Sequence, residues 1–484
     1  MRLTTVITSL LALLCSSSAA RVQPQTPLRA LSRAPKVVSP TLCPDDTTQY
    51  SGYLPGSSIF FWFFPSRSHP ETDPVGIWSN GGPGSSALTG MQYAGPCYVE
   101  KDGHGGWEMR TREWSFNNNA SILMIDNPRG AGFSYAEFPA VDTVFDSARD
   151  TYEFIQTFVK TFPEYASNPW AVNSLSYGGH YAPVYGSFIQ HMNAKIRGKP
   201  SLWDDTWPAP LSTDSYVPLN LTSISVGNGW INGRVQYRSW VDFACGGAEE
   251  RGIPNLATEG DCKWARDRLN DGEKLIDQCE GPIACAAAGQ YASTVASLPY
   301  ALTGLNIYDY RTAEPYDETG VIAYYNNATV QAELGVIHKP SDASKLWEAH
   351  SARIWHAYVF SGDWDVQTDV YFERLLRSGV SVLKYEGMVD FICNYLGVRE
   401  IMANLPNYER QSTFNTLPML NWTTGGNETP AGMYKCIAGR DVDEGNLCYV
   451  EIEGAGHVLS LDKPKEGSWM MSQWMQGQAL SHAA

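Results

Sequence analysis

Ser174-Leu175-Ser176-Tyr177-Gly178-Gly179 is a turn of small residues that follows a β-rich run at 170–172 and precedes an apolar-periodic segment at 184–192. A strand, a tight turn and then a helix are the setting of a nucleophile elbow, which exposes a serine hydroxyl above a sheet. The usual pattern begins with Gly, and here that position holds Ser174. Small-residue turns between a strand and a helix are also common in structural loops. By itself the hexapeptide is only a modest indication that Ser176 is a nucleophile.

Two later segments supply the partners that a serine nucleophile needs. Asp390 comes just after a predicted strand at 380–385, and His457 lies on a Gly-rich loop after a predicted strand at 449–452. The order Ser, Asp, His along the chain is that of the α/β-hydrolases. Because a serine hydroxyl is a poor nucleophile at neutral pH, His457 must take its proton and Asp390 must orient the imidazole. The sequence therefore predicts a catalytic triad of Ser176, Asp390 and His457.

A second acidic turn competes for the role of the triad acid. Gly362-Asp363-Trp364-Asp365 resembles the expected Gly-Asp-x-Asp turn more closely than residues 387–390 do. This turn precedes a helix-like run at 371–377 instead of following a strand. Asp365 is therefore rejected, and Asp390 is predicted to be the acid.

The Gly-rich segment Asn80-Gly81-Gly82-Pro83-Gly84 follows a predicted strand at 75–78. One interpretation is an ordinary Gly/Pro turn. The other is an oxyanion loop, in which a Gly N–H approaches a reacting carbonyl because no Cβ intervenes. In an α/β-hydrolase the second oxyanion donor is expected on a loop at this place. The N–H groups of Gly82 and Tyr177 are the predicted donors.

Short β-rich runs that alternate with longer mixed stretches indicate the fold class. The strand candidates lie at 59–64, 75–78, 122–125, 170–172, 224–226, 380–385 and 449–452. Residues 143–162 carry apolar side chains at helical spacing and predict an amphipathic helix. We therefore expect an α/β-hydrolase fold with a mostly parallel central sheet and helices on both faces.

Residues 233–359 differ from the rest of the chain in having few strand-like runs, several charged segments and four cysteines. These cysteines are Cys245, Cys262, Cys279 and Cys285. We predict a largely helical, disulfide-stapled insertion, or lid, between two halves of a hydrolase core at 49–232 and 360–484. A free-standing domain is the alternative, and the triad residues on both sides of the segment disfavour it.

The N-terminus predicts export. Arg2, the apolar residues 6–14 and the small residues 18–20 form a signal peptide over residues 1–20. Residues 21–48 are rich in Pro, Ser and Thr and predict an extended arm or a pro-segment. No later stretch approaches the roughly 20 apolar residues of a transmembrane helix, so we expect a soluble protein, extracellular or vacuolar. Candidate glycosylation sites are Asn119, Asn220, Asn327 and Asn421, with a fifth at Asn427 before Pro430.

Cysteine number fits an oxidising compartment. There are ten cysteines, and loss of Cys15 with the signal peptide leaves an odd number, so one thiol stays free. Cys436 and Cys448 are expected to form a local pair, and two of Cys43, Cys97 and Cys393 are expected to bond. None of the spacings fits a zinc site, and no cofactor is predicted.

The acidic net charge indicates which kinds of binding partner to expect. The formal charge is −16, and no Lys/Arg cluster forms a local basic patch. Such a surface repels phosphate backbones, so nucleic acid is not expected as a partner, and neither is a membrane. The predicted partner is a peptide or a small acyl substrate. The sequence makes no prediction of oligomeric state.

Seven segments in the same order resemble the serine carboxypeptidases, the family of the fungal and plant acid carboxypeptidases. They are 49–53 (QYSGY), 78–86 (WSNGGPGSS), 126–135 (DNPRGAGFSY), 176–183 (SYGGHYAP), 227–230 (GNGW), 390–394 (DFICN) and 456–457 (GH). The resemblance implies a hydrolase that releases C-terminal residues through a serine acyl-enzyme. It also implies that Asn80 and Gly81 bind the terminal carboxylate of the peptide. Cys393 resembles a free thiol beside the active site, whereas a disulfide from Cys393 to Cys43 or Cys97 is the alternative.

Two departures from the family bear on the substrate. Leu175 and Tyr93 stand where the family usually has two Glu residues that donate hydrogen bonds to the terminal carboxylate. Leu has no donor, and each missing bond to a charged group weakens recognition by about 1.5–3 kcal/mol. The second hypothesis is therefore a carboxypeptidase-like esterase or acyltransferase with a small-molecule acyl donor. The third is a catalytically inactive binding protein, which the intact triad and oxyanion loop disfavour.

Overall fold

A computed structural model describes residues 36–135, 141–207, 211, 213–337, 346–424, 429–441, 443–478 and 480. The predicted signal peptide at 1–20, the first part of the predicted arm at 21–35 and the sequon at Asn427 lie outside the described residues. None of the helices within the described ranges has the length and apolar character of a membrane-spanning segment.

One large sheet organises the described part of the chain, in the strand order β1-β2-β3-β7-β4-β8-β9-β10-β13-β12-β11, and β5 and β6 form a separate pair. The strands are β1 Lys36–Val38, β2 Tyr50–Tyr53, β3 Phe60–Phe64, β4 Val75–Ser79, β5 Cys97–Lys101, β6 Trp107–Thr111, β7 Ser121–Ile125, β8 Pro169–Leu175, β9 Asn220–Gly227, β10 Ser381–Gly387, β11 Leu420–Trp422, β12 Gly432–Ile437 and β13 Leu447–Ile452. The central strands β7, β4, β8, β9, β10 and β13 are parallel, and the strands at both edges are antiparallel. The carboxyl ends of β8, β9, β10 and β13 therefore meet at one edge of the sheet.

Helices connect the parallel strands and cover the sheet. They are α1 Val144–Thr161, α2 Gly178–Ile196, α3 Gly233–Ala244, α4 Glu259–Gln278, α5 Pro282–Ala301, α6 Thr319–Tyr325, α7 Ala328–Glu333, α8 Ala352–Phe360, α9 Val370–Arg377, α10 Tyr395–Ala403, α11 Gln411–Thr416, α12 Leu459–Asp462 and α13 Pro464–Met475. The predicted amphipathic helix is confirmed as α1. It begins at the N-cap Thr143, whose Oγ1 accepts a hydrogen bond from Asp146 N at 3.2 Å.

Both faces of the sheet are buried. In β3 the side chains alternate between two hydrophobic cores, with Phe61 and Phe63 on one side and Trp62 on the other. The first core includes apolar residues of α1 and α2, and the second includes Met470 and Met471 of α13. Because each face packs against helices, the predicted α/β-hydrolase architecture is confirmed.

The segment from 233 to 359 contains helices α3 to α7 and most of α8. Disulfides join Cys245 to Cys262 and Cys279 to Cys285, so each staple is local. The helical character of this segment agrees with the sequence, and its bounds as an insertion stay a prediction.

The described part of the predicted arm is tied into the fold. β1 pairs antiparallel with β2 at the edge of the sheet, and Cys43 is bonded to Cys97 at the start of β5. The predicted local pair Cys436–Cys448 is present across β12 and β13. Cys393 is buried and free, so the odd thiol is the one that the family resemblance implied.

Candidate active site

Ser176 lies between the end of β8 and the start of α2, at the carboxyl edge of the sheet. Its φ of +65° is unusual for a residue with a side chain. Three backbone hydrogen bonds hold this geometry: Ser176 N donates to Gly227 O at 3.0 Å, and Ser176 O accepts from Gly179 N and Trp230 N at 2.9 and 2.8 Å. Ser176 is partly exposed whereas both of its neighbours are buried. The local fold thus presents the Ser176 side chain to solvent in a strained conformation, as in a nucleophile elbow.

Close packing explains the small residues of the elbow. A Cβ on Gly178 would lie 1.9 Å from Ser174 Oγ, and a Cβ on Gly179 would lie 2.2 Å from Trp230 O. Ser174, which replaces the usual leading Gly, donates its hydroxyl to Ser79 O at the end of β4 at 2.5 Å. The departure from the usual pattern therefore adds a hydrogen bond between β8 and β4.

His457 and Asp390, the predicted base and acid, are hydrogen-bonded to each other. His457 Nδ1 lies 2.8 Å from Asp390 Oδ2, and both side chains are buried. Because an ionised carboxylate only accepts hydrogen bonds, Nδ1 carries the proton and Nε2 is left as the basic nitrogen. The ring of Tyr308 packs against the imidazole at a centroid distance of 4.7 Å. The structure thus brings together the two residues that the sequence paired.

Asn228 holds the carboxylate of Asp390, a role that the sequence did not reveal. It follows β9 directly, and its Nδ2 donates to Asp390 Oδ2 at 3.0 Å and to Gly387 O at 3.1 Å. Its Oδ1 accepts from Gly387 N at 2.9 Å. The backbone N–H groups of Ile392 and Cys393 also donate to the Asp390 carboxylate. Hydrogen bonds from Asn228, Ile392 and Cys393 therefore fix the orientation of the buried Asp390 carboxylate beside His457.

The competing acids lie elsewhere. Asp363 Oδ2 accepts the Tyr177 hydroxyl and Oδ1 accepts Val144 N at 3.0 Å, whereas Asp365 Oδ1 accepts the Tyr237 hydroxyl at 2.7 Å. Burial raises the pKa of Asp363 to about 7, and it raises the pKa of Asp365 to about 6. The side chains of Asp363 and Asp365 are thus hydrogen-bonded to tyrosines, whereas the carboxylate that contacts His457 is that of Asp390.

The loop 80–84 packs directly on the elbow. A Cβ on Gly81 would lie 2.6 Å from Tyr177 N and 2.7 Å from Ser176 Cβ, so only Gly allows this approach. Gly82 has a φ of +109°, which again favours Gly. The structure therefore brings the loop that carries one predicted oxyanion donor against the residue that carries the other.

Asn80, the residue that the resemblance assigns to carboxylate binding, is surrounded by polar partners. Its Oδ1 accepts from Tyr93 OH at 2.5 Å and from Trp78 Nε1 at 3.1 Å, and its Nδ2 donates to Thr89 Oγ1. Tyr93 and Leu175 are both buried, and burial raises the pKa of the Tyr93 phenol. Tyr93 therefore orients Asn80 with its one hydroxyl proton.

Cys393 forms a compact group with Asp390 and His457. Ligand-type atoms of Asp390, Cys393 and His457 lie within 4.8 Å of one another, and this is the one such group of three or more side chains in the described ranges. Burial raises the pKa of the Cys393 thiol well above its usual value. Asp390 Oδ2 accepts hydrogen bonds from His457 Nδ1, Asn228 Nδ2 and Cys393 N. These hydrogen bonds account for the close approach of Asp390, Cys393 and His457.

A buried ion pair lies on β10 just before Asp390. Lys384 Nζ is 3.1 Å from Glu386 Oε1, both side chains are fully buried, and Nζ also donates to Val226 O at 3.0 Å. Burial raises the pKa of Glu386 and lowers that of Lys384, because it disfavours both charges. The sequence predicted a strand at 380–385 but did not single out this pair.

The predicted glycosylation sites differ in accessibility. Asn220, Asn327 and Asn421 are exposed, whereas Asn119 is partly buried. Asn119 Oδ1 accepts from Ser472 Oγ of α13 at 3.0 Å, and Asn119 O accepts from Gln476 Nε2 at 2.6 Å. Asn119 is therefore the least accessible of these four sequons.

The sheet, the elbow and the residues at its carboxyl edge define an α/β-hydrolase. Among solved structures, the prohormone-processing carboxypeptidase Kex1(Δ)p of Saccharomyces cerevisiae is similar in fold, with a TM-score of 0.69 and 22% identity over 91% of this chain and 95% of that chain. Carboxypeptidase Y homolog A of Fusarium vanettenii is 32% identical over 462 residues, which cover 92% of this chain and 77% of the relative. Carboxypeptidase Y of Komagataella phaffii is 31% identical over 452 residues, 90% of this chain and 78% of the relative. A model of the serine carboxypeptidase family matches residues 40–477. The chain belongs to the serine carboxypeptidase family, as the sequence motifs predicted.

Proposed function

We propose that this chain hydrolyses the C-terminal peptide bond of its substrates through an acyl-enzyme on Ser176. The observation that carries the proposal is the 2.8 Å bond between His457 Nδ1 and Asp390 Oδ2, at the same sheet edge as the strained and partly exposed Ser176. Membership of the serine carboxypeptidase family supports the same reaction.

Each step follows from the chemistry of these groups. Ser176 Oγ attacks the carbonyl carbon of the last peptide bond while His457 Nε2 takes the hydroxyl proton. The resulting oxyanion accepts hydrogen bonds from the N–H groups of Gly82 and Tyr177. The carbon–nitrogen bond then breaks, and His457 returns the proton to the leaving amine. Water attacks the acyl-enzyme by the same route and regenerates Ser176, with Asp390 stabilising the imidazolium in both halves.

Recognition of the terminal carboxylate is proposed to rest on Asn80 and Gly81. Asn80 Nδ2 uses one of its two hydrogens on Thr89, so the second is free to donate to a carboxylate. Leu175 offers no hydrogen bond, and the Tyr93 hydroxyl is already donated to Asn80. We infer that this site offers the substrate carboxylate fewer hydrogen-bond donors than the two Glu residues of the family pattern supply. Because neither position 93 nor position 175 carries a carboxyl group, these positions do not make substrate binding favour acid pH.

Export through the secretory pathway, to the cell exterior or the vacuole, is part of the proposal. It is supported by the signal-like residues 1–20 and by four disulfides among the described residues. The exposed Asn220, Asn327 and Asn421 are the proposed glycan sites of best accessibility.

Release of the C-terminal amino acid from a blocked dipeptide tests the proposed reaction. In Ser176→Ala we expect kcat to fall by about 10⁶ because the nucleophile is gone. Ser187→Ala is the matched control, since its hydroxyl bonds only to Val184 O within α2, and it should keep kcat within about twofold. Full activity in Ser176→Ala would refute the proposal.

A further inference from the structure

The candidate oxyanion loop is paired with a short segment of the helical region. Ser86 N donates to Ala349 O at 2.8 Å, and Ser351 N donates to Gly84 O at 3.1 Å. Between these bonds, Ser85 and His350 are antiparallel bridge partners. Residues 349–351 thus hold the loop by two backbone hydrogen bonds, and Tyr181 OH accepts a further one from Gly84 N at 3.3 Å.

Side chains extend this pairing into a chain of three residues. Ser85 Oγ lies 2.7 Å from His350 Nδ1, and His350 Nε2 lies 3.0 and 3.1 Å from the two carboxylate oxygens of Glu318. A carboxylate accepts only, so Nε2 carries a proton, and in the neutral imidazole Nδ1 accepts the Ser85 hydroxyl proton. Glu318 therefore fixes both the orientation and the tautomer of His350.

Ser85 connects His350 to the Gly81–Gly82 peptide, which carries the proposed oxyanion donor. Ser85 N donates to Gly81 O at 3.1 Å. Gly81 O and the N–H of Gly82 belong to one planar peptide, in which the C=O and N–H of a trans bond point in opposite directions. A bond that holds Gly81 O on one side therefore sets the direction of the Gly82 N–H on the other.

We infer that His350, oriented by Glu318, is a positioning residue for the oxyanion hole. The inference rests on the proposed role of Gly82. The loop holds three Gly residues within 81–84, so its backbone has little stiffness of its own, and a donor is effective only when it is held in place before the reaction. The hydrogen-bond partners of the His350 ring are Ser85 and Glu318, so its effect on the loop is transmitted through Ser85.

The latch formed by Glu318, His350 and Ser85 is tested by His350→Ala and Glu318→Gln. We expect kcat on a blocked dipeptide to fall about tenfold in His350→Ala, which is less than the 10²–10³-fold loss that follows removal of a whole oxyanion donor. The fall in Glu318→Gln should be smaller than that in His350→Ala. KM should stay within about twofold, because the latch acts on the transition state and leaves ground-state binding unchanged. The matched control is His356→Ala, since His356 Nδ1 bonds to Ala352 O within α8, and its kcat should be unchanged.

A rescue variant separates positioning from a general loss of structure. Ser85 and His350 form a non-hydrogen-bonded antiparallel pair, whose Cα atoms lie at about 4.5 Å, within the range that a disulfide spans. Ser85→Cys with His350→Cys, with the bridge verified by mass spectrometry, should restore kcat to within about twofold of the parent enzyme.

Three results would overturn the inference: a parental kcat in His350→Ala, a loss confined to KM, or a bridged double variant as slow as His350→Ala. Ser176→Ala measured in the same assay keeps the two claims apart. If that variant is inactive while His350→Ala is fully active, the latch is wrong and the proposed function stands. If Ser176→Ala is active, the proposed function itself fails.

Discussion

Tyr177 donates its phenolic hydroxyl to the buried carboxyl of Asp363. This hydrogen bond connects Tyr177, whose N–H is a proposed oxyanion donor, to the acidic turn at 362–365 that competed with Asp390 in the sequence. The Tyr177 ring also stacks on His180 at a centroid distance of 4.4 Å and on Trp364 at 5.6 Å. Asp363 therefore has a structural role beside the elbow, and its burial has a consequence for stability.

Asp363→Asn should change the pH dependence of stability. Burial raises the pKa of Asp363 from 3.8 to about 7, so the folded protein binds this proton more tightly than the unfolded chain. The stabilising contribution is complete below pH 3.8 and is lost as pH rises through 7. Three pKa units correspond to about 4 kcal/mol. Urea unfolding from pH 4 to pH 7.5 should show a steeper loss of unfolding free energy in the parent than in Asp363→Asn. An equal slope in the two proteins would contradict this account, and the exposed Asp271→Asn serves as the control.

Asp390→Asn should reduce kcat by about 10⁴, because an amide in place of the carboxylate favours the wrong tautomer of His457. Asp365→Asn should keep kcat within severalfold, since Asp365 bonds to Tyr237. Steady-state kinetics on a blocked dipeptide at pH 6 compares the two. Loss of activity in Asp365→Asn alone would show that the acid has been assigned to the wrong residue.

Leu175→Glu should create a preference for free C-terminal acids at low pH. A protonated Glu donates a hydrogen bond to the terminal carboxylate, worth about 1.5–3 kcal/mol, or roughly 10- to 150-fold in kcat/KM. The measurement is kcat/KM for a blocked dipeptide and for its amide from pH 4 to pH 8. Leu175→Gln is the matched control, because its amide donates at every pH. If the free-acid preference of Leu175→Glu does not fall as pH rises, the carboxylate argument is wrong.

Lys384→Met should destabilise the fold by about 3–5 kcal/mol, because it leaves Glu386 buried without its counter-charge. Adding Glu386→Leu should recover most of that loss, since a well-packed apolar pair replaces the ion pair at little net cost. Urea unfolding of the single and double variants gives the coupling energy. Equal instability of both variants would mean that the two charges do not compensate each other.

The sequence predicted the parts of the structure that depend on local pattern. Strands such as β3 and β7 are buried runs of apolar residues, and α1 has both an apolar face and an N-cap. The edge strands β1 and β11 were missed, because each has three residues and is partly exposed. Antiparallel pairing at the sheet edges leaves no local signal in strands this short.

Contacts between residues far apart in the sequence are the part of the candidate site that could not be predicted. Motif order paired His457 with Asp390, and in the structure the two side chains are in contact. Asn228 lies 162 residues from Asp390, and Ser85 lies 265 residues from His350. No periodicity or spacing relates such positions. They become neighbours only when the parallel strands align at one edge and the helical region folds back over the loop.

Mapping the covalent adduct that the protein forms with a fluorophosphonate tests whether Ser176 is the nucleophile. We expect one adduct per chain, on the peptide that contains Ser176. The rate of labelling should fall steeply in His457→Ala, because no base then activates the hydroxyl. An active enzyme that is labelled on another residue, or one that is not labelled at all, would contradict the assignment of Ser176 as the nucleophile.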